Sequence, residues 1–266
     1  MKRCLLLFTL VGFVCSVTAQ DEAKARLDKS PRHHEWAEIK QGNRTVHTFV
    51  VFPEVKEKAM AIVVIHENKG LTDWVRGVAD QLAEAGYIAV APDLLSGTAP
   101  GGGKTSDFKT VDDATKAIYA LPPDQVTADL NAVADYAAKI PAANGKVAVA
   151  GFCWGGAQSF RFATNRDKLA AAFVFYGTGV ETEDDAKKID CPVYGFYGGN
   201  DARVNATIPK STAAMKKAGK TYEPVTYDGA GHGFMRAGEE ASGNAANKKA
   251  RNDAWARWKE LLKKIS

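Results

Sequence analysis

Cys153 stands at the centre of Gly151-Phe152-Cys153-Trp154-Gly155-Gly156, directly after the apolar run Val147-Ala148-Val149-Ala150. A strand that turns sharply into a helix holds the residue at the turn in a strained conformation, and only small residues fit two positions before and after it. Gly151 and Gly155 supply both. The string therefore reads as a nucleophile elbow with cysteine in the usual serine place. A tight turn around a buried, inert cysteine would share the same letters, so the setting between strand and helix carries the argument.

A thiol nucleophile needs a base to take its proton and a third group to orient that base. Five histidines are present, and only His232 follows Cys153 in the chain. In folds with such an elbow the acid and then the histidine come after the nucleophile. His232 lies in the loop Asp228-Gly229-Ala230-Gly231-His232-Gly233-Phe234, after the strand expected at Tyr222 to Tyr227. His66, ending an early strand, is read as a structural or supporting residue. Asp201, reached from the preceding strand through Gly198-Gly199-Asn200, is the candidate orienting carboxylate. Asp228 competes with it, but its place at the end of the strand favours a turn-bracing role. The oxyanion would meet the backbone N–H of Trp154 at the helix start, plus a donor from the loop after Ile65, for which Asn68 is the candidate.

These residues need a sheet to carry them. The apolar runs Ala61 to His66, Tyr87 to Ala91, Lys146 to Ala150, Ala171 to Phe175, Val193 to Tyr197 and Tyr222 to Tyr227 read mostly as parallel strands buried on both faces. Val75, Val78, Ala79 and Leu82 share one helical face, and Val126, Leu130, Val133, Ala137 and Ile140 share another. A final helix is expected over Asn244 to Lys264. Glu35 to Ile39 and Thr45 to Phe52, joined through Gln41-Gly42-Asn43, form an antiparallel hairpin ahead of this alternation. The fold class is α/β, a mostly parallel, doubly wound sheet. The longest irregular stretch, Pro92 to Lys109, follows a strand's C-terminal end, where open sheets bind ligands. Within it, Gly101-Gly102-Gly103-Lys104-Thr105 imitates a phosphate-binding loop, but Thr98 stands where that motif requires glycine.

With 266 residues, 45% hydrophobic and 25% charged, the chain is long enough for one large core. Lys2-Arg3, the apolar run Cys4 to Val14, and the small residues Val17 and Ala19 have the layout of an export leader cleaved after Ala19. Residues 1–19 are thus expected as a signal peptide, 20–34 as a polar arm that is frayed or helical, and 35–266 as one domain. The protein is expected to be soluble and secreted or periplasmic, with no stable membrane association. Loss of Lys2 and Arg3 lowers the formal charge from +4 to +2, too little for a nucleic-acid footprint. Of the two cysteines that remain, Cys191 starts a strand and Cys153 ends a parallel one. A separation of roughly 15 Å, against the ~7 Å a disulfide allows, predicts two free thiols, one reactive and one inert.

Gly-x-Cys-x-Gly-Gly, then Asp201, then Gly-His232-Gly-Phe, with Glu67 after the first buried strand, resemble the dienelactone hydrolase family of the α/β-hydrolase superfamily from roughly Val46 to Leu262. The resemblance implies an α/β-hydrolase fold and a Cys153-His232-Asp201 triad acting on an ester or lactone through a thioester, with no cofactor and no metal. It also implies that Glu67 holds the resting thiol until substrate arrives. Arg236, four residues after the histidine, matches one of two arginines that bind the substrate carboxylate in the family. The other would follow Pro92-Asp93-Leu94-Leu95, where this chain has Ser96-Gly97. Tyr176 matches a pocket tyrosine of the family and equally reads as a core aromatic. Acyl transfer on the same triad, and small-ligand binding without turnover on a hydrolase scaffold, are the alternative functions; the oligomeric state is left open.

Overall fold

The computed structural model describes residues 19–266, so the expected leader lies outside the described residues except for Ala19. In chain order the elements are α1 (Ala19–Lys29), β1 (His34–Gln41), β2 (Arg44–Val51), β3 (Ala59–Ile65), α2 (Asp73–Glu84), β4 (Ile88–Pro92), α3 (Val111–Ala120), α4 (Pro123–Lys139), β5 (Ala143–Phe152), α5 (Trp154–Ala163), β6 (Leu169–Phe175), α6 (Glu183–Lys187), β7 (Val193–Gly198), α7 (Ala202–Asn205), α8 (Ile208–Lys217), β8 (Tyr222–Tyr227), α9 (Phe234–Ala237) and α10 (Ala245–Ile265). The eight strands form one sheet in the order β1-β2-β4-β3-β5-β6-β7-β8. The β1–β2 and β2–β4 pairs are antiparallel, and every pair from β4–β3 to β7–β8 is parallel.

Period-two alternation explains how so apolar a sheet is covered on both sides. Met60, Ile62 and Val64 of β3 and Ala148, Ala150 and Phe152 of β5 pack on the face that also carries Trp74, Val78, Trp255 and Trp258 of α2 and α10. Ala61, Val63 and Ile65, with Val147 and Val149, face the side covered by Val126, Leu130 and Val133 of α4 and Phe160 of α5. Register brings the C-terminal ends of the parallel strands level: Ile65 pairs with Gly151, Phe152 with Phe175, Phe175 with Phe196, and Gly198 with Tyr227. The loops leaving β3, β5, β7 and β8 consequently meet along one edge.

The polar arm is a helix that docks. α1 buries Ala23 and Leu27 in the core shared with α2. A Cβ on Gly77 would come within 3.2 Å of the Ala23 side chain, so the two helices approach closely because both contact residues are small. Asp80 of α2 then accepts from Ser30 at 2.6 Å and from Arg32 Nε at 2.9 Å, and pairs with His34 Nε2 at 2.8 Å. Asp80 lies below the usual carboxylate range; burial opposes its charge, and the bonds from Arg32, Ser30 and His34 outweigh that cost.

α3, which no apolar period in the sequence marks, follows the irregular stretch after β4. Thr110 caps it, its hydroxyl accepting from the Asp113 N–H at 3.1 Å. Only Ala114 and Ile118 of this helix are buried, while Val111 and Tyr119 stay exposed.

Candidate active site

The chain leaves β5 and enters α5 through Cys153, whose φ of 58° and ψ of −114° lie outside the helical and extended regions. The surrounding contacts hold it there. A Cβ on Gly151 would collide with the Gly155 carbonyl, one on Gly155 with the carbonyls of Ile65 and His66, and one on Gly156 with the Phe175 carbonyl. The Cys153 N–H donates to the Phe175 carbonyl at 3.0 Å, and its own carbonyl accepts from Ala157 N–H at 3.2 Å. Local strain at the thiol is thus offset by packing and hydrogen bonds across three strands.

His232 reaches this thiol from the loop after β8. Its Nε2 lies 3.1 Å from Cys153 Sγ, and its Nδ1–H donates to Asp201 Oδ2 at 2.6 Å. Asp201 is buried and caps α7, its other oxygen accepting from Val204 N–H at 3.3 Å. The hydrogen bond to Cys153, together with that to Asp201, raises His232 to about 9 against the opposing effect of burial. Asp228, the competing carboxylate, is exposed in the turn beyond β8.

Glu67 lies on the first loop of the site, buried, and accepts from Arg236 Nε at 3.0 Å. The thiol's partner in this structure is His232, while Glu67 is paired with Arg236. Burial works against the charge of Arg236, but Glu67 more than offsets it and keeps the guanidinium strongly basic. Arg236 also has Glu240 at 3.7 Å. Tyr176 is fully buried at φ 40°, with its ring 5.2 Å from that of His232 and its hydroxyl without a hydrogen-bond partner among the described residues. Burial, reinforced by the charge of Glu67, pushes the phenol well above its ordinary value.

The Trp154 N–H is in the first turn of α5, where backbone donors have no partner within the helix. Asn68 is partly exposed, and its side-chain amide points to the Tyr119 hydroxyl of α3 at 3.5 Å. The loop carrying Glu67 and Asn68 is fixed by His66. Its Nδ1–H donates to the Glu67 carbonyl at 2.8 Å, its Nε2 accepts from Leu94 N–H at 3.2 Å, and its ring stacks on Trp154 at 5.7 Å. Burial lowers its pKa, which keeps it neutral for both roles. Where Ser96-Gly97 replaces the family's second arginine, Ser96 is buried, with its hydroxyl donating to the Asp93 carbonyl at 2.5 Å and accepting from His47 N–H at 2.9 Å.

A cleft of about 1120 Å³ opens beside this constellation, with Glu67 and Arg236 in its lining. Sequence reasoning pointed to one wall, the stretch Pro92 to Lys109, and missed the rest because the walls come from separate parts of the chain: Trp36 on β1, Leu71 after β3, Phe108 in the irregular stretch and Val111 on α3. The signals available were the long segment after Pro92 and the unexplained aromatic residues Trp36 and Phe108. Arg76 reinforces the first wall: it pairs with Asp73 and has its guanidinium 5.9 Å from the Trp36 ring centre.

Comparison with known proteins agrees with the geometry. The model of the dienelactone hydrolase family matches residues 46–266. A carboxymethylenebutenolidase of Pseudomonas putida is 31% identical over 194 residues, covering 71% of this chain and 82% of that protein. The crystal structure of a dienelactone hydrolase homologue from Klebsiella pneumoniae subsp. pneumoniae superposes with a TM-score of 0.75 at 26% identity, covering 87% of this chain and 98% of the other. A dienelactone hydrolase-like promiscuous phosphotriesterase from metagenomic libraries shares the fold, with a TM-score of 0.74 at 23% identity, covering 88% and 98% of the two chains. The chain belongs to the dienelactone hydrolase family of the α/β-hydrolase superfamily and is a carboxylic ester or lactone hydrolase.

Proposed function

We propose that this hydrolase works through Cys153, His232 and Asp201 by way of a thioester. The observation that carries the reading is the unbroken line of hydrogen bonds from Sγ through the imidazole to a buried carboxylate, at 3.1 and 2.6 Å. His232 takes the thiol proton as Sγ bonds to the substrate carbonyl carbon. The tetrahedral oxyanion that forms is stabilised by the Trp154 N–H, with a second donor from the Glu67–Asn68 loop. Collapse of this intermediate breaks the bond to the leaving oxygen. The imidazolium then returns the proton to that oxygen. Water then attacks the thioester with His232 as base, the acid departs, and the proton goes back to sulfur. Asp201 orients the ring and stabilises its charged form throughout.

The test is Cys153→Ala, measured on small activated aryl esters with the exported protein, whose first residue is Gln20 if leader cleavage falls after Ala19. Loss of roughly 10³-fold or more in kcat/KM with an unchanged thermal transition is the expected result. Activity equal to the parent's would sink the proposal.

A further inference from the structure

The cleft beside the thiol is larger than a single lactone ring requires. At about 1120 Å³ it exceeds the usual span of small-molecule pockets, roughly 300–1,000 Å³. It adjoins the reacting groups through two of its lining residues, Glu67 and Arg236: a Cβ on Gly233, the residue after His232, would lie 3.3 Å from Arg236 and 3.8 Å from Glu67. Its walls include Trp36, Leu71, Phe108 and Val111, with Trp36 and Val111 about half exposed at 47% and 56%. Aromatic and aliphatic surface left uncovered beside a catalytic thiol is surface for a bound apolar group.

The charges in the same lining are unevenly satisfied. Asp73 is engaged by Arg76, Glu67 and Glu240 by Arg236, and Glu38, mostly exposed, has the His47 ring at 3.9 Å. Asp93 is held by Thr105, through its N–H at 2.9 Å and its hydroxyl at 2.7 Å. Asp107, three residues from Lys104, accepts from the Lys104 N–H at 2.8 Å and the Ser106 hydroxyl at 3.3 Å. Arg236 is already committed to two carboxylates. Lys69, Lys104 and Lys109 also line the cleft, and none has an ion pair among the described residues. Two of them, Lys104 and Lys109, come from the irregular stretch after β4, and Lys69 comes from the loop that carries Glu67.

We propose that this cleft selects extended esters that carry an aryl or similarly apolar body next to the scissile carbonyl and a second, anionic group beyond it, with Lys69, Lys104 and Lys109 holding the anion. The inference rests on the Cys153 reading above and adds the substrate class. The free lysines, and not Arg236, supply the charge, because an anion at Arg236 would first have to displace Glu67. Solvent-exposed ammonium groups attract without requiring a fixed geometry, which suits an anion at the end of a variable body.

The experiment compares two para-nitrophenyl esters, one of para-carboxyphenylpropanoic acid and one of para-methylphenylpropanoic acid. At low ionic strength the parent is expected to favour the carboxylate ester by about tenfold in kcat/KM, the worth of one charge-assisted hydrogen bond. That ratio should fall towards one in high salt and in the variant K69Q/K104Q/K109Q. Because each ratio is taken within one protein, a smaller folded fraction does not alter it; the single variant Lys104→Gln, expected to lower the ratio in part, guards against complete loss of the triple variant. A parent ratio near one, with the methyl ester still cleaved and its cleavage abolished in Cys153→Ala, overturns the substrate class and leaves the triad standing. An unchanged ratio in the triple variant overturns the role of the lysines. Cleavage of both esters by Cys153→Ala at the parent rate overturns the triad reading itself.

Discussion

Cys153 and Cys191 are the same side chain at opposite ends of the parallel layer. Cys191 lies just before β7, buried among the aliphatic residues that cover one face, and burial pushes its thiol up to about 12. Cys153 lies just after β5, partly exposed, held at a positive φ and in contact with His232. Both are free thiols. The difference comes from the direction of the strands: at their C-terminal ends four loops converge, and one brings a histidine backed by a carboxylate. At their N-terminal ends burial dominates the sulfur's surroundings. Residue type supplies a potential nucleophile, and position in the sheet decides whether anything draws its proton away.

The comparison breaks most visibly under alkylation. A thiol at about 12 is ionised to roughly one part in 10⁵ at pH 7. Iodoacetamide should therefore label Cys153 and spare Cys191 in the folded protein, with rates differing by roughly 10⁴-fold when followed by peptide mass; comparable labelling would erase the distinction. The next effect in size comes from Asp201→Asn, which keeps the shape of the cap on α7 but removes the charge that steadies His232. It is expected to lower kcat for aryl esters by roughly 10²- to 10⁴-fold while KM moves little. An activity within twofold of the parent would show that His232 does not need Asp201. The smallest effect belongs to Cys191→Ala. Loss of a small buried group should cost about 1 kcal/mol in urea unfolding and leave ester hydrolysis unchanged.

The parallel layer was legible because strands buried on both faces read as unbroken apolar runs: β7, buried throughout Val193–Gly198, matches its expected span of Val193 to Tyr197 to within one residue. The elbow was legible for a related reason: glycine at 151 and 155 answers a steric demand within five residues. His232 and Asp201 followed from chain order in folds of this kind. What stayed hidden depends on partners far away in sequence. Among its described side chains α1 buries two, too few to set an apolar period, and its docking needs the small residue Gly77 and the acceptor Asp80 on another helix. α3 buries only two of its ten residues, so its apolar pattern does not mark an inward face. The pairing of Glu67 with Arg236 spans 169 residues. Composition gives no sign of such a pair, and the free lysines of the cleft become visible only once every neighbouring acid has been matched to its partner.

The docked α1 has a consequence for how this enzyme can vary. Arg26 of α1 bonds Glu239 at 3.1 Å, and Glu239 also accepts from Arg251 of α10 and from Gln81 of α2 at 3.2 Å. Glu239 is three residues beyond Arg236, so the segment presenting that arginine is moored to a helix that precedes the stretch matched by the family model, residues 46–266. The stretch matched by the family model does not include this mooring. A change in α1 can loosen Arg236 from a distance, with the thiol, its histidine and its aspartate left as they are.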